Sequence, residues 1–369
     1  MGADLPKEYK VGVFEAKGEP IKFKQVKLEL PKPGEVLVKV LACGVCHSDH
    51  AVRYGLFGNS FPIVPGHEVI GEVAAVPDTE KKWKVGDHVG GPWHGGHDST
   101  CIPCQRGLFQ MCEQEQINGV TRDGGYGEYV TLRTEAVVRI PSDADPAEYC
   151  PLLCAGVTVF NSLRQQKILS GALVAVQGLG GLGHLALQYA SKAGYRTVAI
   201  SSSSDKKDFA MQLGAHEYAS LPFVRFSASS FIVLLLSRMA HANEDTQIDA
   251  SKGDIGEQLQ KLGGAAAIIF TAPNEKLIPS LLGGLGPLGK LLILAAAGPV
   301  EVNTASMISK GLSIQAWPSG HALDSEEAIS FAQVHGVKCM IEKFPLDKAN
   351  EAMEKMTSGK VRFRGVLIP

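Results

Sequence analysis

The first part of the chain alternates short apolar segments with glycine and proline. Runs such as Glu35–Val40 and Gly127–Leu132 are rich in Val and Leu and are bounded by residues that favour turns. This pattern is typical of short β-strands. We therefore predict a mostly β structure up to about residue 150.

Beyond Gly156 the pattern changes to apolar strands that alternate with helical stretches. Alternation of this kind indicates βαβ units and a parallel sheet. The strands that we place in this sheet are Ala172–Gln177, Thr197–Ile200, Ala265–Phe270 and Leu291–Ala296. The sequence thus predicts the α/β class, with a β-rich part followed by a doubly wound part.

Composition narrows the class of protein. The chain has 369 residues, 45% of them hydrophobic, which suffices for a sizeable core and two domains. A net charge of −2 gives no reason to expect nucleic acid or an anionic membrane as a partner. Because Met1–Lys10 lacks the apolar core of a signal peptide, we expect a cytoplasmic protein.

Two thiols and one imidazole on three separate segments predict an open zinc site. Cys46 precedes a His-Ser-Asp run, His67 precedes a glutamate, and Cys154 stands before a glycine-rich motif. Three protein ligands leave the fourth tetrahedral position of zinc open, as in catalytic sites. Asp49 is suited to hold the His67 ring, since ligating imidazoles usually donate their other N–H to a carboxylate. The alternative is that these side chains are ordinary core residues.

Three further cysteines have spacing typical of a metal loop. Cys101 and Cys104 stand close together and Cys112 follows shortly after. In an intracellular enzyme such clusters are metal ligands more often than disulfides. We predict a structural metal here, with a loop of reduced thiols as the alternative.

A glycine-rich motif follows the first strand of the predicted parallel sheet. It lies between Gln177 and a predicted helix, His184–Ala193. In a dinucleotide-binding unit the first glycine makes a tight turn, the second lets the pyrophosphate approach, and the third lets helix and strand pack closely. The residues predicted to contact a nicotinamide cofactor here are Gly178, Gly180, Gly181, Leu182 and Gly183.

Together these motifs resemble those of the zinc-dependent medium-chain alcohol dehydrogenases. The resemblance extends from about Val11 to the C-terminus and is interrupted only between Ala219 and Gln247. It implies a GroES-like, mostly β catalytic domain and a Rossmann coenzyme-binding domain, with reversible oxidation of a primary alcohol by NAD or NADP. The implied ranges are 1–155 for the catalytic domain, 156–298 for the coenzyme domain with its interruption, and 299–369 for a return to the catalytic domain.

The resemblance also implies roles for residues around the first zinc. Ser48 matches a hydroxyl that accepts the substrate proton, His47 a contact to the cofactor pyrophosphate, and Glu68 a carboxylate behind the metal. Arg364 matches an arginine that binds cofactor phosphate. For the outer proton relay, His50 stands one place before the usual histidine, and a plain surface or cofactor-side histidine is the alternative.

The family lobe has the spacing C-x2-C-x2-C-x7-C, and this chain has Asp98 in the first place. Carboxylate oxygen is an acceptable zinc ligand. We therefore expect Asp98, Cys101, Cys104 and Cys112 to bind a structural zinc, which gives two zinc ions per chain. His97, one residue earlier, is the competing fourth ligand.

The residues after the second strand bear on the choice between NAD and NADP. An NAD enzyme places Asp or Glu there to bind the ribose 2′-hydroxyl. This chain has Ser201, Ser202 and Ser203, with Lys206 nearby. Hydroxyls with a lysine suit a 2′-phosphate, and the run resembles that of NADP-dependent cinnamyl alcohol dehydrogenases. We favour NADP; the alternatives are a solvated turn with its lysines on the surface and a contact from Asp205 to the ribose.

Tyr54, Phe57 and Trp93 are candidate walls of the substrate pocket, with plain packing as the alternative.

The leading interpretation is a homo-oligomeric dehydrogenase, dimer or tetramer, that acts on small alcohols and aldehydes. One rival is an NADP-dependent reductase of aromatic or α,β-unsaturated aldehydes. A rival of another class is a catalytically silent binding protein, impaired by the interruption.

The interruption itself has features of a translated intron. Ala219-Ser220, Ala242-Asn243 and Thr246-Gln247 can be encoded by GCAAGT, GCTAAC and ACACAG, which resemble a variant intron start, a branch point and an intron end. A genuine loop would expose the apolar, β-prone run Phe231–Leu236. We therefore interpret Ala219–Gln247 as intronic, with an inserted loop as the alternative.

Sequencing of mature transcripts tests this interpretation. We expect the codons of Tyr218 and Ile248 to be joined, and a protein without Ala219–Gln247 to be more soluble and at least as active. The reason is that the Phe231–Leu236 run is removed. Retention of the segment in transcripts, together with loss of activity on its deletion, would show a functional loop.

Overall fold

The structure is a computed structural model that describes residues 5–202, 206–220 and 254–369. The chain forms two compact units. The first comprises Met1–Val157 and Ser319–Pro369, and the second comprises Thr158–Pro318. Among the described residues, no helix combines the length and the apolar character needed to cross a bilayer.

The first unit is built on a seven-stranded sheet with two small two-stranded sheets beside it. Its strands are β1 (Glu8–Val13), β2 (Lys22–Lys27), β3 (Glu35–Val45), β4 (Val69–Ala75), β5 (His88–Gly91), β6 (His94–Gly96), β7 (Gln116–Ile117), β8 (Tyr129–Arg133), β9 (Val138–Arg139), β16 (Ile341–Pro345) and β17 (Arg364–Ile368). The order in the large sheet is β16-β17-β3-β4-β5-β9, and β8 pairs with β3.

The helices of this unit are short. They are α1 (His47–Arg53), α2 (Ile102–Gln105), α3 (Pro146–Tyr149), α10 (Ala322–His335) and α11 (Ala349–Thr357), with 3-10 turns at Phe109–Met111, Cys150–Leu153 and Leu346–Lys348. Valines of β3, β4 and β5, among them Val38, Val73 and Val89, are fully buried in its core. Apolar strand residues thus form the core, while the connections carry the chemistry-bearing side chains.

Two connections of the first unit are held against each other by main-chain hydrogen bonds. Gly125 N donates to Gly66 O over 2.9 Å, and Tyr126 N donates to Pro65 O over 3.0 Å. A Cβ on Gly124 would overlap the carbonyl oxygen of Gly66. Gly66 has a φ of +104°, which favours glycine. This close approach brings Tyr126 beside the segment that carries His67.

The second unit is a parallel six-stranded sheet in the order β12-β11-β10-β13-β14-β15. Its strands are β10 (Leu173–Gln177), β11 (Arg196–Ser201), β12 (Glu217–Ser220), β13 (Ala265–Phe270), β14 (Leu285–Ile293) and β15 (Ser313–Ala316). Its helices are α5 (Gly183–Lys192), α6 (Lys207–Gln212), α7 (Ile255–Lys261), α8 (Ile278–Gly283) and α9 (Thr304–Lys310), with a 3-10 turn at Glu275–Leu277. The helix α4 (Ala155–Arg164) spans the sequence boundary between the units.

This strand order is that of a Rossmann fold, with the reversal between β10 and β13. The prediction of a doubly wound parallel sheet is therefore confirmed. The last predicted strand differs in its limits, because β14 begins at Leu285 rather than Leu291. Leu285 pairs with Ala265 ahead of an irregularity in the pairing of β13 with β14. Because main-chain pairing does not require an apolar run, the hydrophobic pattern did not indicate this first part of the strand.

The end of the second unit also differs from the predicted boundary at residue 299. The strand β15 (Ser313–Ala316) still pairs with β14, and the second unit extends to Pro318. The predicted interruption begins inside a strand, since Ala219 and Ser220 pair with Ile200 and Ser201. Residues 221–247 of the interruption lie outside the described residues.

Candidate metal centres and cofactor loop

Four predicted site residues of the first unit come together around one point. The ligand atoms of Cys46, His67, Glu68 and Cys154 all lie within 4.8 Å of one another. Cys46 immediately precedes α1, and His67 and Glu68 immediately precede β4. The Sγ atoms of Cys46 and Cys154 are 4.0 Å apart. Two thiolates on one tetrahedral zinc would be separated by about 3.8 Å, so this spacing fits the metal.

The carboxylate of Asp49 links the segments that carry these groups. It is fully buried on α1. Its Oδ2 accepts a hydrogen bond from Cys46 N over 2.8 Å, and its Oδ1 accepts one from Gly66 N over 3.1 Å. Oδ1 also lies 3.2 Å from Nδ1 of His67. The sequence prediction that Asp49 holds the His67 ring thus agrees with this geometry.

The remaining ring nitrogen of His67 fits a metal ligand. The side chain is fully buried, and within the described part of the chain neither ring nitrogen has a partner in hydrogen-bond geometry, although Nδ1 faces Oδ1 of Asp49 at 3.2 Å. A buried polar atom without a partner is costly. A cation held by Nε2 and by the Cys46 and Cys154 sulfurs would satisfy it.

Glu68 is also fully buried and forms an ion pair with Arg364 at the start of β17. Burial raises the pKa of Glu68 to about 7, and the Arg364 guanidinium opposes this rise. A Cβ on Gly44 would overlap Oε2 of Glu68, so glycine is required at that place in β3. The structure therefore shows Arg364 in contact with a carboxylate; its predicted contact to cofactor phosphate stays a prediction.

Aromatic rings lie beside His67 and beside His50 of α1. The Trp93 ring meets the His67 ring edge-to-face at 4.9 Å, and Phe57 meets Trp93 in the same way at 5.5 Å. Tyr54 does not join this pair among the described contacts; it meets His50 at 5.0 Å. Of the three predicted pocket residues, Trp93 thus lies beside a proposed metal ligand, and Phe57 lies against Trp93.

The predicted proton-relay and pyrophosphate residues lie on α1. His47 is exposed, Ser48 is half-buried and His50 is half-buried. Burial, aided by Arg53, lowers the pKa of His50 to about 4, so its ring is neutral at pH 7. Among the described residues, Nδ1 of His50 has no hydrogen-bond partner.

The second predicted metal group also comes together. The ligand atoms of Asp98, Cys101, Cys104 and Cys112 lie within 4.8 Å of one another. The Sγ atoms of Cys101 and Cys112 are 3.8 Å apart, close to the separation expected on one tetrahedral zinc. Oδ1 of Asp98 accepts hydrogen bonds from the main-chain N–H groups of Thr100 and Cys101, which lower the pKa of this carboxyl. It is therefore ionised, as a metal ligand must be.

The imidazole of His97, the competing ligand, has other contacts. Its Nδ1 lies 3.0 Å from Nε2 of His94, whose Nδ1 lies 2.9 Å from Glu115. Its ring also stacks on Phe109 at 4.2 Å. His97 is absent from the group of converging ligand atoms in the described chain. The geometry thus favours Asp98 over His97.

In the second unit the glycine motif connects β10 to α5. Gly178 has a φ of +94°, and a Cβ there would lie 2.7 Å from the Ala272 Cβ. A Cβ on Gly183 would overlap the Gly178 carbonyl oxygen, so helix and strand pack as closely as predicted. At Gly180 no described atom lies within 4 Å of an added Cβ. The space beside Gly180 is therefore open, and the half-buried Gly181 and Leu182 follow it.

The residues predicted to select the cofactor lie at the carboxyl end of β11. Ser201 is its last residue and is buried, and Ser202 follows as an exposed residue. Because β11 adjoins β10, this end lies beside the strand that leads into the glycine motif. Lys206 is half-buried, whereas Ser203 and Asp205 lie outside the described residues.

Sequence reasoning did not single out Tyr126 or Gly44. The Tyr126 hydroxyl donates to Oδ2 of Asp49 over 3.1 Å, across a sequence separation of 77 residues. No local motif links positions so far apart. The Gly-Gly-Tyr run before β8 would have been the only signal, since consecutive glycines mark a close main-chain approach.

Comparison with known proteins places these sites in a family. Residues 32–142 match the family described as the alcohol dehydrogenase GroES-like domain. The chain is 53% identical over 367 residues to alcohol dehydrogenase patD of Penicillium expansum, covering 100% of this chain and 99% of that one. It is 32% identical to an alcohol dehydrogenase of Geobacillus stearothermophilus, covering 94% and 95% of the two chains.

A solved structure extends the likeness to the whole fold. The cinnamyl alcohol dehydrogenase SbCAD4 of Sorghum bicolor has a TM-score of 0.79 and 29% identity, and 98% of each chain is covered. One of these relatives is more than half identical to this chain, and all three comparisons cover almost the whole of both chains. These values show the family. The chain belongs to the alcohol dehydrogenases of the medium-chain dehydrogenase/reductase superfamily and is an oxidoreductase.

Proposed function

We propose that the chain is a zinc-dependent dehydrogenase of primary alcohols and their aldehydes, linked to NADP or NAD. The observation that carries this proposal is the convergence of two thiols, 4.0 Å apart, with a buried imidazole that Asp49 orients. In this proposal Cys46, His67 and Cys154 hold the catalytic zinc. When bound, zinc supplies a Lewis acid for the oxygen of an alcohol or aldehyde.

The surrounding residues orient the site and handle the proton. Asp49 fixes the His67 ring, and the Glu68–Arg364 pair places a carboxylate behind the ligands with its charge balanced. Oxidation of an alcohol releases a proton and a hydride. Ser48 accepts the proton in this proposal, and His50, neutral at pH 7, is the candidate that passes it outward.

The second unit supplies the cofactor site in this proposal. A nicotinamide cofactor accepts the hydride in oxidation and returns it in reduction. Gly180 offers open space for its pyrophosphate, with the half-buried Gly181 and Leu182 beside it, and Gly178 and Gly183 allow the turn and the close packing that this loop needs. His47 and Arg364 are proposed as further phosphate contacts, on the family resemblance alone.

Preference for NADP is proposed from the end of β11. Ser201, Ser202, Ser203 and Lys206 form the 2′-phosphate site in this proposal. The end of this strand carries no carboxylate at Ser201 or Ser202 to bind a 2′-hydroxyl or to repel a phosphate. A second zinc is proposed on Asp98, Cys101, Cys104 and Cys112, where it would stabilise the lobe rather than take part in chemistry.

A second candidate function is the reduction of aromatic or α,β-unsaturated aldehydes. The Trp93 ring beside His67, with Phe57 packed against it, and the likeness to the sorghum cinnamyl alcohol dehydrogenase favour it. Comparison of kcat/KM for aliphatic and cinnamyl-type substrates separates the two. The homo-oligomeric state and the cytoplasmic location remain predictions.

Cys46→Ala and Cys154→Ala test the catalytic zinc. Each variant should lower alcohol-dependent cofactor reduction by about 10³-fold or more, because loss of the Lewis acid removes several kcal/mol of stabilisation. Metal analysis should show the loss of one zinc per chain. Cys339→Ala, at a buried thiol outside both ligand groups, is the control and should keep its zinc and its activity. A parent chain without any alcohol-dependent activity would instead indicate a silent binding protein.

Asp98→Ala tests the second metal. We expect metal content to fall from two zinc ions per chain toward one, with a lower unfolding temperature, because metal binding and folding of the lobe are coupled. His97→Ala removes a neighbouring side chain that contacts His94 and Phe109, and it should leave metal content unchanged. The reverse result would assign the ligand to His97.

Ser201→Asp tests cofactor choice. The ratio of kcat/KM with NAD to that with NADP should rise on the order of 100-fold, since a carboxylate there accepts from the 2′-hydroxyl and repels the 2′-phosphate. Ser309→Asp adds the same charge on an exposed helix of the same unit and controls for charge alone. An unchanged ratio would show that Ser201 does not discriminate between the cofactors.

A further inference from the structure

One fully buried side chain of the first unit reaches the proposed zinc site through another residue. The hydroxyl of Tyr126 donates to Oδ2 of Asp49 over 3.1 Å, and the side chain has no solvent exposure. A buried tyrosine hydroxyl needs a hydrogen-bond partner. Here the partner is a carboxylate rather than a main-chain carbonyl, and that carboxylate lies against a proposed zinc ligand, His67.

The two oxygens of Asp49 have separate sets of partners. Oδ2 receives the Tyr126 hydroxyl and Cys46 N, whereas Oδ1 receives Gly66 N and lies 3.2 Å from His67 Nδ1. Donors on Oδ2 therefore determine the rotation of the carboxylate about its Cβ–Cγ bond. That rotation in turn sets the direction in which Oδ1 meets the imidazole.

The tyrosine is itself held from both sides. Its N–H donates to Pro65 O over 3.0 Å, and its carbonyl accepts from Gly12 N over 2.7 Å. Its ring packs so closely on Gly66 that a Cβ there would lie 2.5 Å from the Tyr126 Cδ1. A hydroxyl that is anchored by main-chain bonds and by packing has little freedom to leave Asp49.

We infer that Tyr126 is a positioning residue of the catalytic zinc site, which acts by fixing Asp49 and, through it, the His67 ring. This inference rests on the proposed zinc ligands Cys46, His67 and Cys154. Partners of a ligating histidine commonly change metal affinity or activity by about 10–100-fold when they are lost. Tyr126 contacts Asp49 rather than the histidine itself, so we expect its loss to change zinc affinity by an amount near the lower end of that range.

Tyr126→Phe tests the inference, because it removes one oxygen and keeps the ring that packs on Gly66. The zinc-loaded full chain is titrated with a chelator, and retained zinc per chain is measured. A Cys154→Ser chain should lack the catalytic zinc, so comparison with this variant identifies which of the two zinc ions is the catalytic one. We expect Tyr126→Phe to weaken that zinc by about tenfold and to leave the other zinc unchanged. Tyr195→Phe, which removes a hydroxyl bonded to Ile168 O in the second unit, should change neither.

A double-mutant cycle separates positioning from general packing. If Tyr126 acts through Asp49, Tyr126→Phe should weaken zinc binding little further in an Asp49→Asn background. Full additivity of the two losses, or unchanged zinc affinity in Tyr126→Phe, would overturn the inference while leaving the proposed zinc ligands intact. A parent chain that binds no more zinc than Cys154→Ser would overturn the proposed function and the inference with it.

Discussion

The buried carboxylate of Asp49 is the constraint on which the site of the first unit depends. A carboxylate taken out of water is costly unless its oxygens are hydrogen-bonded. The main-chain N–H groups of Cys46 and Gly66 and the Tyr126 hydroxyl meet that need, and the His67 ring lies 3.2 Å from Oδ1. Because these groups come from three different segments, satisfying one charge also fixes the relative positions of those segments.

The Glu68–Arg364 pair places a second constraint on the same region. Its partners are 296 residues apart in sequence, and both are buried. Removal of one partner of such a pair typically costs about 3–5 kcal/mol, because the other charge is left without compensation. Gly44 has no side chain because Glu68 occupies the space that a Cβ would need. The residue at this position of β3 is thus constrained by the buried carboxylate of Glu68.

Much of this architecture could be predicted from short-range patterns. The proposed ligands in the Cys46 and Cys101 regions, the glycine motif and the strand Ala265–Phe270 belong to motifs or periodic runs that are contiguous in sequence. The role of Tyr126 and the pairing of β15 with β14 could not be found in this way, because they depend on contacts between distant segments. The choice between Asp98 and His97 needed coordinates, because adjacent residues of a loop point in directions that spacing alone does not determine.

The position of Arg364 in the last described strand has a consequence for biosynthesis. Ribosomes release the Cys46, His67 and Cys154 segments long before β17 is made. Until that strand pairs with β3, Glu68 has no cationic partner in its pocket, and the neighbouring thiols lack their final enclosure. Nascent chains therefore pass through a stage in which these cysteines are accessible to oxidants and to competing metals. In the proposed zinc enzyme, completion of the C-terminal strand would close that interval, and metal selection would then be a late event in maturation.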